Sequence, residues 1–454
     1  MQNTIVALAT PLGRSGIAVI RLSGSTSLEI AGKLTRDENF NPKPRLAVLK
    51  KIYDLETTDV FDETIITYFQ SPQSFTGEDV IEISCHGSPI ILRQIIDFCL
   101  KLDARMADAG EFSLRALANG RMNLSQAEAI RDLIDAQTIA SARQSVRQLR
   151  GELSNQLQSL KDELLDVIVV LESSLEFVED DLPDLQNENI RNRLILIAAN
   201  VGKMASTFKA GKLLREGLKV ALVGRPNVGK SSLFNALLGH DRAIVTEIAG
   251  TTRDQLHEKL VIENIPVSLI DTAGLRETID AVESIGVERS KRAMVDADLV
   301  IVLLDGSQNL TVEDFAALKD TDDLSRIIAI NKIDLKSPDD VVLSQISNSK
   351  SQIIRVSAKT GEGLNELQKA IVEPFHPQDI EVSGFLISDA RHNDLLLRAE
   401  SEILNSIDLL NQKMSEEIVL IGLHNALRYL GQITGETTTE DMLTRIFSTF
   451  CIGK

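Results

Sequence analysis

The amino-terminal part of the chain mixes strand-like and helical patterns. Apolar runs at residues 17–22 and 64–69 have the length of strands, whereas residues 89–100 carry apolar positions at helical spacing. Clusters of Pro and Gly separate these runs, as turns do between short elements. The pattern predicts a small α/β domain over residues 1–119.

Helical spacing dominates the next stretch, residues 120–216. Apolar residues recur there at intervals of three and four, as at Leu160, Leu164 and Val167, which places them on one helix face. The same spacing returns over residues 377–454. Both stretches are therefore predicted to be helical.

Short and almost uninterrupted apolar runs mark the stretch between the two helical ones, residues 217–376. The runs are residues 220–223, 267–270, 299–304, 327–330 and 353–356. Buried strands that alternate with covering helices have this pattern, so we predict an α/β domain with a mostly parallel sheet. Because the chain ends of a domain often lie close together, we expect this domain to be inserted into one discontinuous all-α helical domain. A separate carboxy-terminal helical domain is the alternative.

Length and composition limit the class of protein. A chain of 454 residues corresponds to about three domains, and 43% hydrophobic with 25% charged residues is typical of a globular protein. The net charge of −18 argues against a protein that coats nucleic acid non-specifically. The three cysteines have no CxxC spacing, so neither a disulfide framework nor a zinc site is indicated. We expect a cytoplasmic protein without a membrane segment, since no signal-peptide pattern or bilayer-length apolar run is present.

A phosphate-binding motif begins at Gly224. The segment Gly-Arg-Pro-Asn-Val-Gly-Lys230-Ser231 matches G-x-x-x-x-G-K-[ST] between a predicted strand and a predicted helix, which is the context that a P-loop requires. Its glycines let backbone amides converge on the β-phosphate, and Lys230 offers a charge to the β- and γ-phosphate oxygens. Ser231 is the predicted Mg²⁺ ligand.

Three further motifs follow in the order found in GTPases. Asp271-Thr-Ala-Gly274 ends one apolar run and Asn331-Lys-Ile-Asp334 follows another. The Asp334 carboxylate can accept hydrogens from N1 and the exocyclic amino group of guanine, a pair that adenine lacks. Ser357-Ala-Lys359 completes the loop on the base side. The motifs together predict a GTP hydrolase.

The switch segments carry the remaining candidates. Gly250-Thr-Thr-Arg-Asp254 resembles a switch I segment, with Thr252 as a second Mg²⁺ ligand. Leu275 stands where Ras-type GTPases place a water-orienting Gln. Either hydrolysis is very slow, or another group positions the water and neutralises charge in the transition state; the candidates are Asn227, Arg276, Glu277 and Glu283. The residues predicted to bind GTP are Asn227, Val228, Gly229, Lys230, Ser231, Ser232, Thr246, Glu247, Ile248, Ala249, Gly250, Thr251, Thr252, Asp271, Thr272, Ala273, Gly274, Asn331, Lys332, Asp334, Ser357, Ala358 and Lys359.

The end of the chain makes the resemblance to one family close. Phe450-Cys-Ile-Gly-Lys454, Thr4-Ile-Val-Ala-Leu-Ala-Thr-Pro11 and Ser74-Phe-Thr-Gly-Glu-Asp79, together with the GTPase motifs, resemble the tRNA modification GTPases called MnmE or TrmE. The resemblance implies an amino-terminal domain that binds 5-formyltetrahydrofolate or a related tetrahydrofolate and dimerises, a helical domain, and an inserted GTPase domain. The predicted boundaries are 1–119, 120–216, 217–376 and 377–454.

The resemblance also implies a reaction and partners. Members act with a separate FAD-dependent protein, MnmG/GidA-like, to add a carboxymethylaminomethyl or aminomethyl group at C5 of the wobble uridine (position 34) of certain tRNAs. A homodimer, a heterotetramer-type complex with that partner, and K⁺-stimulated GTP hydrolysis that depends on pairing of the GTPase domains are implied as well. The alternative is a regulatory GTPase that binds ribosomal RNA during ribosome assembly, because such relatives share the P-loop Asn and the Gly-Thr-Thr segment.

Individual roles follow from the resemblance. A K⁺ ion beside the phosphates neutralises charge in the transition state, and its implied ligands are Asn227, Thr246, Ile248 and Thr251. The implied folate-contacting residues are Arg21, Glu82, Arg121 and Lys454. Glu283 is implied to help place the attacking water. Cys451 is a candidate catalytic thiolate that adds to C6 of the uridine, and the alternative is a small buried thiol that anchors the tail.

Overall fold

The computed structural model describes residues 3–176, 184–240, 257–271, 296–336, 346, 351–375, 384–436 and 440–453. The chain divides into two compact units. The first comprises Met1–Ile134, Val146–Leu182 and Gln412–Lys454, and the second comprises Asp135–Ser145 and Pro183–Asn411.

A six-stranded sheet forms the amino-terminal part of the first unit. Its strands are β1 (Ile5–Leu8), β2 (Ser15–Ser23), β3 (Ala47–Tyr53), β4 (Val60–Phe69), β5 (Val80–Gly87) and β6 (Arg105–Met106). Their order is β3-β4-β5-β2-β1-β6, and β1 pairs in parallel with β6 while the other neighbours are antiparallel. Helices α1 (Ser27–Thr35) and α2 (Pro89–Lys101) pack on this sheet.

The strands of this sheet alternate between a buried face and a polar face, as half-buried strands do. Ile20 and Leu22 of β2 and Ile81 and Ile83 of β5 are fully buried and belong to the core that includes α1 and α2. The residue between each pair points to the opposite face, which places Arg21 there as the register partner of Glu82. The predicted α/β domain is confirmed.

The later helices follow in chain order. They are α3 (Glu111–Ala118), α4 (Leu124–Ile134), α5 (Ile139–Leu149), α6 (Glu152–Glu176), α7 (Asp184–Ser206), α8 (Phe208–Glu216), α9 (Lys230–His240), α10 (Val312–Asp320), α11 (Leu364–Val372), α12 (Ala390–Asn411), α13 (Glu416–Thr434) and α14 (Glu440–Phe447). In the first unit α6 packs on α13, and in the second α7 packs on α12. Each pair joins a helix before the predicted GTPase domain to one after it, so the helical domain is discontinuous, as predicted. The boundaries in residue numbers stay predictions.

The sheet of the second unit is mostly parallel. Its strands are β7 (Leu218–Val223), β8 (His257–Ile262), β9 (Ile265–Asp271), β10 (Leu299–Asp305), β11 (Arg326–Asn331) and β12 (Gln352–Arg355). Their order is β12-β11-β10-β7-β9-β8, with β8 and β9 antiparallel and every other pair parallel. The predicted inserted α/β domain with a mostly parallel sheet is confirmed.

This topology positions the candidate site. Every residue of β10 is buried, and β10 lies between β7 and β11. Because the three strands are parallel, the residues that follow their carboxyl ends meet at one edge of the sheet. The P-loop, Asp305 and Asn331 therefore come together there. Within the described residues, no helix combines the length and apolarity needed to cross a membrane.

Candidate functional site

Positive φ values at Gly229 and Asn227 shape the turn of the P-loop. Gly229 has φ +98°, and a Cβ atom at this position would lie 2.3 Å from Asn331 Nδ2. Asn227 has φ +65°, a conformation that Asn tolerates better than most residues. The chain then enters α9 at Lys230, so the backbone amides of its first turn favour an anion in front of them.

The P-loop side chains divide into anchored and exposed ones. Val228 is fully buried in the core of the domain, and Lys230 Nζ donates to the carbonyl oxygens of Gly224 and Arg225 at 2.7 and 2.8 Å. Ser231 and Ser232 lie at exposed positions of the first turn of α9. Their hydroxyls are therefore accessible to a ligand.

Asn331 connects three of the predicted motifs. Its side chain is buried, Nδ2 donates to the Val228 carbonyl at 2.9 Å, and Oδ1 accepts from the Ala358 amide at 3.0 Å. The hydroxyl of Ser357 donates to Asp334 Oδ1 at 2.7 Å, which orients that carboxylate. Lys359 is exposed beside them. The structure thus brings together the P-loop, the Asn-Lys-Ile-Asp motif and the Ser-Ala-Lys motif.

Two charged residues of the same site, Arg225 and Asp305, were not predicted from the sequence, and Asp305 contacts the predicted residue Lys332. Lys332 Nζ donates to the Asn227 carbonyl at 2.8 Å and to Asp305 Oδ2 at 2.7 Å. Arg225, in the P-loop, donates from Nε to Asp314 Oδ2 at 3.2 Å. Burial acts to raise the pKa of Asp305, but the hydrogen bonds from Lys332 and from neighbouring Ser307 outweigh it and lower that pKa. Asp305 follows a buried run in the same way as Asp271 and Asn331, and this was the signal that could have identified it.

Part of the predicted site lies outside the described residues. Asp271 ends β9, and its side chain is not among those described. The other predicted residues outside the described ranges are Thr246, Glu247, Ile248, Ala249, Gly250, Thr251, Thr252, Thr272, Ala273, Gly274, Arg276, Glu277, Glu283 and Lys454. Their roles stay predictions.

A second polar cluster lies on the face of the first sheet opposite α1 and α2. Arg21 donates from Nε and Nη2 to Glu82 Oε1 at 2.9 and 2.7 Å. The rings of Phe75 and Phe112 lie 5.8 and 5.7 Å from the guanidinium carbon. Arg21 Nη1 donates to the Gly453 carbonyl at 3.2 Å, so the carboxy-terminal tail reaches the strand that carries Arg21.

Backbone contacts and buried rings hold the tail against the amino-terminal domain. Phe450 is buried beside Phe447, with ring centroids 5.0 Å apart, in a cluster that includes Leu124 of α4. Gly453 has φ +99°, and a Cβ atom there would lie 2.3 Å from the Leu8 carbonyl oxygen. Two predicted folate residues, Arg21 and Glu82, therefore contact each other beside the tail.

The other two predicted folate residues do not share these contacts in the described part of the chain. Arg121 is exposed, and its side-chain stem lies near Gly77, where a Cβ atom would be 3.2 Å from Arg121 Cγ. Lys454 lies outside the described residues.

Cys451 has an exposed thiol, so the alternative in which it is a small buried thiol is wrong. The catalytic role of Cys451 stays a prediction.

Comparisons with known proteins agree with this architecture. The family model described as "MnmE helical domain" matches residues 124–451, and "GTP-binding protein TrmE N-terminus" matches residues 4–121. Three proteins named "tRNA modification GTPase MnmE" are similar over 100% of this chain and of their own length. They are 42% identical in Aquifex aeolicus (strain VF5), 42% in Koribacter versatilis (strain Ellin345) and 39% in Clostridioides difficile (strain 630). The chain therefore belongs to the MnmE family of tRNA modification GTPases.

Proposed function

We propose that this protein hydrolyses GTP to drive the addition of a carboxymethylaminomethyl or aminomethyl group at C5 of the wobble uridine of certain tRNAs. The convergence of the phosphate-binding and guanine-binding motifs on one buried side chain, Asn331, carries the GTPase part of the proposal. The names of the full-length relatives support tRNA as the substrate. A separate FAD-dependent protein supplies the remaining chemistry.

The GTP site works by positioning and by charge. Asp334, oriented by the Ser357 hydroxyl, accepts the N1 and exocyclic amino hydrogens of guanine, while the amides that begin α9 and Lys230 hold the phosphates. The exposed hydroxyl of Ser231 fits a Mg²⁺ ligand, and Thr252 is proposed as the second. Bound Mg²⁺ supplies a charge that polarises the phosphate oxygens.

The same loop fits a monovalent cation. The side chain of Asn227 is exposed, at a turn whose backbone conformation is left-handed, so its amide oxygen can face an ion beside the phosphates. Bound K⁺ supplies the charge that an arginine finger provides in other GTPases. We propose that backbone oxygens of Thr246, Ile248 and Thr251 complete the set, and that Arg276 and Glu283 help to place the attacking water.

The second cluster fits a tetrahydrofolate. Both hydrogen bonds that Arg21 donates to Glu82 go to Oε1, and Oε2 receives none of them. A carboxylate pairs well with the adjacent N–H groups of an aminopyrimidinone ring such as that of a folate. Arg21 orients Glu82, and we propose that Arg121 and Lys454 contact the rest of the ligand. A bound tetrahydrofolate supplies the one-carbon unit.

The carboxy-terminal thiol belongs to the tail that contacts this cluster. Cys451 is exposed two residues before Gly453, whose carbonyl accepts from Arg21. We propose that its thiolate adds to C6 of the uridine, which makes C5 nucleophilic until the thiolate leaves again. The proposal further includes a homodimer, a heterotetramer-type complex with the MnmG/GidA-like partner, and action in the cytoplasm on tRNA.

Mass spectrometry of wobble nucleosides tests the proposal. We expect the C5-substituted uridines to disappear from tRNA of cells that lack this protein, and to return with the wild-type gene but not with a Glu82→Gln variant. Asp322→Asn, at an exposed surface position of the GTPase domain, is the matched control and should restore them. If the nucleosides are unchanged while ribosome assembly fails, the regulatory GTPase that binds ribosomal RNA is the better interpretation.

A further inference from the structure

Asp305 lies at the carboxyl end of β10, at the same edge of the sheet as the GTP site. It ends β10, which lies between the strand leading to the P-loop and the strand leading to the Asn-Lys-Ile-Asp motif. Its exposed fraction is 4%. None of the motifs from which the GTPase was identified contains this residue.

The carboxylate of Asp305 is fixed from both sides. Ser307 donates to Oδ1 from its backbone amide at 3.0 Å and from its hydroxyl at 2.6 Å. Oδ2 accepts from Lys332 Nζ at 2.7 Å and lies 4.0 Å from Arg225 Nη2. One oxygen is therefore held by its own loop, and the other faces two cations of the nucleotide site.

Both cations connect Asp305 to the P-loop. Arg225 is itself a P-loop residue, and its guanidinium also donates to Gln308 Oε1 at 3.0 Å. Lys332 Nζ donates to the backbone carbonyl of Asn227 at 2.8 Å. The two P-loop residues that flank Pro226 are thus connected to one carboxylate, the first through its side chain and the second through Lys332.

The Asn227 turn needs such a connection. Its φ of +65° is sparsely populated by residues with a side chain, and such conformations persist where the surrounding structure holds them. A lysine has a long, flexible side chain, so a bond from Lys332 to the Asn227 carbonyl is specific only if the ammonium group is itself anchored. Asp305 is the anchor.

We propose that Asp305 is a positioning residue of the GTP site that acts through Lys332 to hold the P-loop turn at Asn227. It does not touch the nucleotide. The inference deepens the proposed function, since it rests on GTP binding at the P-loop, and it is independent of the tRNA reaction. Failure of the wild-type protein to bind nucleotide would refute the function, whereas wild-type binding with an unaffected variant would refute only the positioning role.

The test measures the Kd of fluorescent GDP and the kcat and KM of GTP hydrolysis with the full-length chain. Asp305→Asn keeps the size of the side chain but removes the charge that Lys332 contacts. We expect Kd and KM to rise by roughly 10- to 100-fold, the usual effect of losing a charge-assisted hydrogen bond, with kcat changed much less. Asp322→Asn, which changes an exposed carboxylate paired with the buried side chain of Arg326 at the start of β11, should leave both constants unchanged.

A double-mutant comparison separates positioning from a general structural role. If Asp305 acts through Lys332, Asp305→Asn combined with Lys332→Met should bind GDP as weakly as Lys332→Met alone, because the two changes remove one interaction. Effects that multiply would overturn the proposal, as would an unchanged Kd in Asp305→Asn. If Asp305→Asn does not fold, Ser307→Ala provides a weaker form of the same test, because it removes the hydroxyl bond to Oδ1 and keeps the amide bond; the expected rise in Kd is about 3- to 10-fold.

Discussion

Replacing Gly229 with alanine tests whether the P-loop and the guanine motif form one packed unit. The added methyl group would lie 2.3 Å from Asn331 Nδ2, closer than two such atoms can approach. Asn331 must therefore move, and it is the side chain that donates to Val228 and accepts from Ala358. The backbone at residue 229 is strained as well, because its φ is +98°.

The size of the effect follows from these contacts. Holding an alanine at positive φ costs about 1–2 kcal/mol. Leaving the polar groups of a buried side chain such as Asn331 unsatisfied costs about 1–3 kcal/mol. Because GDP binds only when the P-loop has this conformation and the empty loop of the variant is free to leave it, a total near 3 kcal/mol corresponds to a roughly 100-fold increase in the Kd for GDP.

Titration of the purified variant with fluorescent GDP measures this change directly. Gly239→Ala is the matched control, since Gly239 lies in α9 of the same domain and nothing lies within 4 Å of its added methyl group. That control should bind GDP like the wild type and gain up to about 1 kcal/mol of helix stability. Wild-type affinity in Gly229→Ala would refute the idea that Asn331 couples the two motifs.

Two further predictions concern titratable groups. Burial acts to raise the pKa of Asp389, but the charges of His392 and Arg215 and the hydrogen bond from Arg215 outweigh it and hold that pKa far below its ordinary value. The stabilisation from the charged Asp389 is therefore complete above the unfolded-state pKa of about 3.9 and is lost as the pH falls below it. Asp389→Asn should lower the free energy of unfolding at pH 7 by roughly 2 kcal/mol. Chemical denaturation at pH 3.5 should show a smaller difference between the variant and the wild type. Burial raises the pKa of Cys99 to about 12, whereas Cys451 is exposed. A thiol reagent at pH 8 should therefore label Cys451 in the folded protein and Cys99 only after denaturation. Peptide mass spectrometry of the labelled protein measures both.

Local signals explain why much of the GTPase domain was predictable. The five apolar runs predicted as strands all overlap strands of the second sheet, because parallel strands covered on both faces are apolar along their length. Strand β8 was not predicted. It begins with His257, Glu258 and Lys259, and such polar residues are common on a strand at the edge of a sheet.

Contacts between segments that are distant in the chain could not be predicted from local sequence patterns. Arg21 and Gly453 are 432 positions apart in the chain, and no spacing relates them. Nor does an isolated charge in a sequence reveal whether it is paired: Asp305 and Asp322 look alike, although one is buried between cations and the other lies at the surface. The resemblance to a family implied roles for Arg21 and Glu82, and the structure adds that the two form an ion pair.

The way in which the nucleotide domain joins the helices follows from contacts around α8, the helix that leads into β7. Leu213 of α8 belongs to the core of the nucleotide domain. On the same helix, Arg215 pairs with Asp389 at 2.7 Å, and a Cβ atom at Gly211 would lie 2.1 Å from the Ile387 carbonyl oxygen. The chain leading into the domain is therefore bound to the chain that leaves it before α12. Because α8 contacts both the core of the nucleotide domain and the segment before α12, the domain can move against α12 only if the Arg215–Asp389 pair breaks or Leu213 leaves the core of the domain.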